Sequence, residues 1–179
     1  LETLSTINLN CIQCMNNIIK TSSIIDFTKG NLMYLEYLDL PKLSKDLIEK
    51  VYNTIKTGKK HTSQGNTDAE NYEHFSSIDA SKKLKQFTES IFEFDHLVHI
   101  FVLSDDLPMH IDNLDVRSKA YNYVIESGGG CTNIYNQEAE LIESYDINLH
   151  RWHILDVSQN HSVSIPNPPR ILVTVSPKK

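Results

Sequence analysis

The distribution of apolar positions divides the chain into two unlike parts. Met33 to Leu38 reads as a short strand. After Pro41, Leu43, Leu47, Ile48, Val51 and Ile55 recur at helical spacing, which predicts a helix running to about Lys56. A second helix is expected from about Asp79 to Phe92, with Leu84, Phe87 and Ile91 on one stripe. Between them, residues 57–76 are polar and carry Gly58, Gly65, Asn66 and Asn71, so a long loop is expected, a candidate lid. From His96 onward the period shortens. Strand-like runs cover His96–Leu103, Lys119–Ile125, Thr132–Tyr135, Trp152–Val157, Ser162–Ile165 and Ile171–Ser176. Gly128-Gly129-Gly130 and Asn167-Pro168-Pro169 punctuate them as turns. The glycine run lacks the following Lys-Ser/Thr of a phosphate loop, which excludes nucleotide binding there. Helices followed by many short strands predict an α+β, mainly β fold, built as a two-sheet sandwich or barrel. One domain over 1–179 is expected, with 1–95 as a supporting region and 96–179 as the core. Residues 1–32 carry no readable pattern.

Composition narrows the class. With 179 residues, 40% hydrophobic and 22% charged, the chain reads as a globular domain. No apolar run approaches the roughly 20 residues of a membrane span. The first thirty residues lack the basic-then-apolar layout of a signal peptide, and a cytoplasmic location is expected from the sparse, odd cysteine count. A net charge of −6 without a dense Lys/Arg block argues against a nucleic-acid partner, whose phosphates need neutralising. Three cysteines, Cys11, Cys14 and Cys131, do not make a secreted disulfide framework. Cys11 and Cys14 have CxxC spacing without the second pair that a zinc site requires, and read as reduced thiols.

The candidate chemistry lies in the second part. His110 and Asp112 stand two apart, so on extended backbone both point to one side and can reach one ion. His161 opens a later strand and offers a third ligand. Two imidazoles and one carboxylate form the facial set that holds a divalent first-row metal, Fe(II) above all, with other positions open. Taken singly, HxD or a lone histidine is more often structural. Together with Arg170, nine residues beyond His161, they form a pattern. A guanidinium there can clamp the far carboxylate of a keto acid. Arg117 and Arg151 are candidate anchors for an anionic substrate, and the sole tryptophan, Trp152, is expected in the core.

On these residues, 108–176 resemble the catalytic core of the Fe(II)/2-oxoglutarate-dependent dioxygenases. The run His110-Ile-Asp112, Arg117, Ala120, Asn122, Thr132 and Tyr135 is similar to small bacterial and phage members, as is the closing His161 to Arg170. The resemblance implies a double-stranded β-helix (jelly roll) with N-terminal helices packed on one sheet. It implies Fe(II) on His110, Asp112 and His161, 2-oxoglutarate as cosubstrate with its far carboxylate on Arg170, and O2. A small molecule, such as an amino acid, or a protein side chain would be hydroxylated, with succinate and CO2 as coproducts. Many members carry Ser or Thr two residues after the arginine, where this chain has Leu172. Asn122, Tyr123 or Tyr135 would then have to help bind the keto acid. Two other readings stand beside this one: a cupin-type metal oxygenase or isomerase that does not use 2-oxoglutarate, and a non-enzymatic jelly-roll binding module. The substrate and the oligomeric state are not written in the sequence.

Overall fold

The computed structural model describes residues 33–62, 72–76, 78–115 and 117–178. The CxxC pair and the first 32 residues lie outside them. The described strands are β1 (Leu35–Tyr37), β2 (Lys59–Thr62), β3 (Tyr72–Ser76), β4 (His96–Leu103), β5 (Leu107–His110), β6 (Lys119–Glu126), β7 (Cys131–Tyr135), β8 (Leu141–Asp146), β9 (Trp152–Asp156), β10 (Asn160–Val163) and β11 (Arg170–Pro177). The helices are α1 (Lys45–Thr57) and α2 (Ile78–Glu89).

Two antiparallel sheets face each other. The larger has seven strands in the order β1-β9-β6-β11-β4-β3-β2, and the smaller has four in the order β5-β10-β7-β8. Neighbours in space are mostly distant in sequence, which is the signature of a jelly roll. Gly128 and Gly129 turn β6 into β7 with left-handed φ values of 64° and 69°, a region that costs glycine little.

Alternation along β11 sorts the two faces of the large sheet. Ile171, Val173 and Val175 point outward and pack with Ile100, Val102, Tyr123, Ile125 and Trp152 against Leu47, Val51 and Leu84 of the helices. Leu172 points inward and joins Phe101, Leu103, Val124 and Leu155 against Ile134 and Val163 of the small sheet. Arg170, Thr174 and Ser176 share the inward face with Leu172, and all three are buried. The helix layer is anchored by Trp152, fully buried, whose indole N–H donates to the Pro41 carbonyl at 3.0 Å.

Helix α1 begins later than its apolar spacing predicts. Ser44 caps it, its Oγ accepting from the Leu47 N–H at 3.3 Å, while Pro41 remains in the extended lead-in. The expected long loop is corrected more substantially. Its flanks form strands β2 and β3, with Phe75 opposite Ile100 of β4. Polar content hid them, because β2 at the sheet edge and β3 beside it take their stability from the ladder they join more than from their own residues. The rest of the expected lid, 63–71, lies outside the described residues. Strands β5 and β8 were also not foreseen. β8 is an edge strand whose Leu141 and Ile142 remain half-exposed. Among the described residues no helix is long and apolar enough to cross a membrane.

Candidate metal centre

Strand pairing brings the two histidines together. His161 of β10 lies directly opposite His110 of β5, and a bulge between the His161 and Val163 pairs lets Leu107 and His110, three apart, both turn inward. The imidazole centroids are 4.2 Å apart. Asp112 follows β5, and its backbone N–H is tied to the Val157 carbonyl at 3.2 Å. Its Oδ1 lies 3.4 Å from His110 Nε2 and 3.8 Å from His161 Nε2. One donor atom from each of the three residues falls within 4.8 Å of the others.

Both rings are set in the tautomer a metal needs. His110 Nδ1 lies 2.8 Å from the Pro108 carbonyl, and His161 Nδ1 lies 2.9 Å from the Gln159 carbonyl. A carbonyl can only accept, so each Nδ1 carries a proton, and a metal ion would take the lone pair of each Nε2. Such outer hydrogen bonds orient metal-ligating histidines generally. Burial pushes the His161 pKa down, and the neighbouring His110 adds to this, so the ring is held neutral. Burial pushes Asp112 up, but its contact with His110 and then the neighbouring Arg117 guanidinium outweigh it. The carboxyl settles at about 2 and is ionised. Two imidazoles and one carboxylate therefore converge, and this donor set fits Fe(II) or a similar divalent ion.

Arg170 opens β11 on the same inner face. It is 3% exposed, and its guanidinium donates to Thr132 Oγ1 of β7 at 3.3 and 3.4 Å. Thr132 sits on the small sheet opposite Val163, one inward step from the His161–Ile134 pair. Thr132 is the hydroxyl that sequence reasoning overlooked as a partner for Arg170. It belongs to the Thr-x-x-Tyr run already quoted for the resemblance.

The three residues expected to assist at the keto acid are separated by the pleat. Asn122 is on the inner face and buried, with its Oδ1 accepting from Thr174 Oγ1 at 2.8 Å. Tyr123 points the other way, into the helix layer, with its ring 5.2 Å from that of Trp152. Tyr135 is next to the inward Ile134 and so faces outward, where its hydroxyl lies 3.0 Å from Ser162 Oγ. Asn122 thus shares the inner face with Arg170, while Tyr123 and Tyr135 point away from it, because neighbours on a strand take opposite faces. His153, opposite Asn122 across β9 and β6, adds a buried imidazole to the inner face. Burial and then the charge of Arg170 push its pKa down to about 3.

The other two arginines are engaged elsewhere. Arg117 pairs with Asp112, its NH2 2.6 Å from Oδ2, and Arg151 lies over the Tyr37 ring at 5.1 Å from its centroid. Arg117, read as a candidate substrate anchor, is thus taken up by Asp112.

No protein-family model matches the sequence, and no curated protein sequence does. Solved structures do. The chain is similar to a prolyl hydroxylase from Trichoplax adhaerens, solved in complex with a peptide fragment of the hypoxia inducible factor oxygen degradation domain. The TM-score is 0.60 at 15% identity, covering 83% of this chain and 84% of that one. A 2OG-Fe(II) oxygenase family oxidoreductase from Burkholderia pseudomallei matches with a TM-score of 0.53 at 7% identity, over 73% of this chain and 77% of that one. HygX from Streptomyces hygroscopicus, with nickel and 2-oxoglutarate bound, matches with a TM-score of 0.52 at 7% identity, over 81% and 82%. The chain has the jelly-roll fold of the 2-oxoglutarate-dependent dioxygenases.

Proposed function

We propose that this chain is an Fe(II)- and 2-oxoglutarate-dependent oxygenase that hydroxylates a small molecule, such as an amino acid, or a protein side chain. The observation that carries the reading is the convergence of His110 Nε2, His161 Nε2 and Asp112 Oδ1 on one point of the inner face. His110, Asp112 and His161 would hold the iron. Iron supplies the oxygen chemistry, in which 2-oxoglutarate and O2 are consumed and succinate and CO2 released. Arg170, with Thr132 beside it, would bind the far carboxylate of 2-oxoglutarate. A buried carboxylate without such a partner would cost several kcal/mol. Leu172, Val163 and Phe101 line the same inner layer and would keep water from it.

A peptide or a free amino acid fits the substrate class. The similar prolyl hydroxylase was solved with a peptide, and here Arg117 is already engaged by Asp112.

The test is an anaerobic titration of metal-free protein with Fe(II) and then 2-oxoglutarate, followed in the visible. A charge-transfer band that is lost in Arg170→Ala and His161→Ala supports the reading. Fe(II) binding without a band would indicate a metal cupin of other chemistry, and no metal binding a binding module.

A further inference from the structure

Arg117 makes a contact that the proposed chemistry has not yet used. Its Nε donates to Asp112 Oδ2 at 2.6 Å, and its NH2 lies 2.6 Å from that same oxygen. Its remaining nitrogen, NH1, donates to Ser176 Oγ at 2.8 Å. All three guanidinium nitrogens are therefore engaged, two on one carboxylate oxygen and one on a separate strand. Ser176 is buried near the end of β11 and locked in the ladder opposite Leu97 of β4. The backbone N–H of Arg117 is bonded to the Asn113 carbonyl at 3.1 Å, a second tie next to Asp112 in sequence. The pair is also shielded, with side-chain exposures of 18% and 13%, so it is not a solvent-screened surface contact. A guanidinium gripped from the sheet and from its own turn cannot follow Asp112 if that side chain rotates.

The two oxygens of Asp112 are thus unequal. Oδ2 is saturated by Arg117, while Oδ1 faces the two histidine Nε2 atoms at 3.4 and 3.8 Å. We propose that Arg117, braced by Ser176, is a positioning residue that confines Asp112 to one-oxygen ligation and so preserves an open position on the metal. This rests on the metal-site reading above. Three single-atom donors leave three positions of a six-coordinate ion. A keto acid chelating through two atoms then leaves one for a diatomic gas. A carboxylate free to bind through both oxygens would take that last position. The fork matters as much as the charge, since a lysine can neutralise Asp112 but cannot hold one oxygen from two nitrogens.

The experiment uses anaerobic protein loaded with Fe(II), then 2-oxoglutarate, then nitric oxide as a non-reacting stand-in for O2. Electron paramagnetic resonance reads the iron–nitrosyl signal. Wild type should bind 2-oxoglutarate and nitric oxide together. Arg117→Ala should retain Fe(II) and 2-oxoglutarate, while its nitric oxide affinity in the presence of 2-oxoglutarate falls about tenfold or more, the two ligands becoming competitive. Arg117→Lys should recover only part of this. Ser176→Ala, which removes a brace and no charge, should show a smaller shift in the same direction, and it serves if Arg117→Ala does not fold. Wild-type behaviour in Arg117→Ala or, where that variant does not fold, in Ser176→Ala would overturn the proposal while leaving the metal site standing. Failure of the wild type to bind Fe(II) would overturn both.

Discussion

His110 and His161 face each other across β5 and β10, ring centroids 4.2 Å apart, each ring fixed by an Nδ1–H bond to the carbonyl two residues earlier. The sheet itself fixes their spacing, so the candidate site is preorganised by backbone pairing.

Removing either ring should therefore abolish the site without unfolding the sandwich. Loss of a mere outer partner of a metal ligand typically costs about 10–100-fold in affinity. Loss of a ligand should exceed this, so His110→Ala and His161→Ala are expected to weaken Mn(II) binding by about 100-fold or more. Calorimetric titration checks this, with circular dichroism as control for folding. Unchanged affinity would place the ion elsewhere.

Arg170 should matter for the keto acid and not for the metal. A charge-assisted hydrogen bond is worth about 1.5–3 kcal/mol, so Arg170→Ala is expected to weaken 2-oxoglutarate binding about 10–100-fold. Arg170→Lys should fall between, because it keeps charge and loses the fork. Thr132→Val should cost less, about 0.5–1.5 kcal/mol for a neutral partner. Mn(II) affinity measured alongside should stay at the wild-type value. A parallel loss of metal would show that Arg170 acts through the fold.

His153 gives a pH dependence with a definite sign. Its pKa falls from 6.5 to about 3 on folding, so between those values the unfolded chain binds a proton that the folded one refuses. Stability from this group is full above pH 6.5 and declines as the pH falls toward 3, at about 1.4 kcal/mol per pH unit. His153→Gln should flatten that part of the acid limb by up to one proton's slope. Urea titrations of both proteins across the window decide it, and identical slopes would mean that the buried ring accepts the proton.

Trp152 joins the helices to the large sheet. It is fully buried, with its ring centroid 5.4 Å from that of Phe92 and its N–H on the Pro41 carbonyl. Trp152→Ala should destabilise by about 3–5 kcal/mol. Trp152→Phe should cost less, retaining most of the apolar volume while leaving the Pro41 carbonyl without its donor. Chemical denaturation followed by circular dichroism measures both.

The clustering of His110, Asp112 and His161 and the two-sheet sandwich were legible because both rest on periodicities a sequence displays, while the jelly roll itself came from the family resemblance. HxD on extended backbone points one way, and alternating apolar runs mark the strands. What stayed hidden depends on pairing. Thr132 meets Arg170 only because β7 crosses the sandwich opposite β11, and nothing in local spacing announces a contact 38 residues apart. Tyr123 looked as eligible as Asn122 until the pleat assigned them to opposite faces. Strands β2 and β3 read as loop because both are rich in polar residues and are held by the ladder they join at one end of the large sheet. Arg117 read as a candidate anchor for an anionic substrate because its partners, Asp112 and Ser176, are joined only through the fold.

The pairing of β7 with β10 sets a further quantity. His161 lies opposite Ile134, and Val163 opposite Thr132, so the row holding the metal ligands and the row holding the Arg170 contact are one side-chain repeat apart. That repeat is about 6.6 Å of extended chain, fixed by peptide geometry. If the two rows grip the ends of one keto acid, the small sheet works as a ruler, and the preference for a diacid of a given length is a property of the backbone. Substitutions around the mouth would then change how tightly the acid is held, while a one-residue insertion in β7 or β10 would change which acid fits.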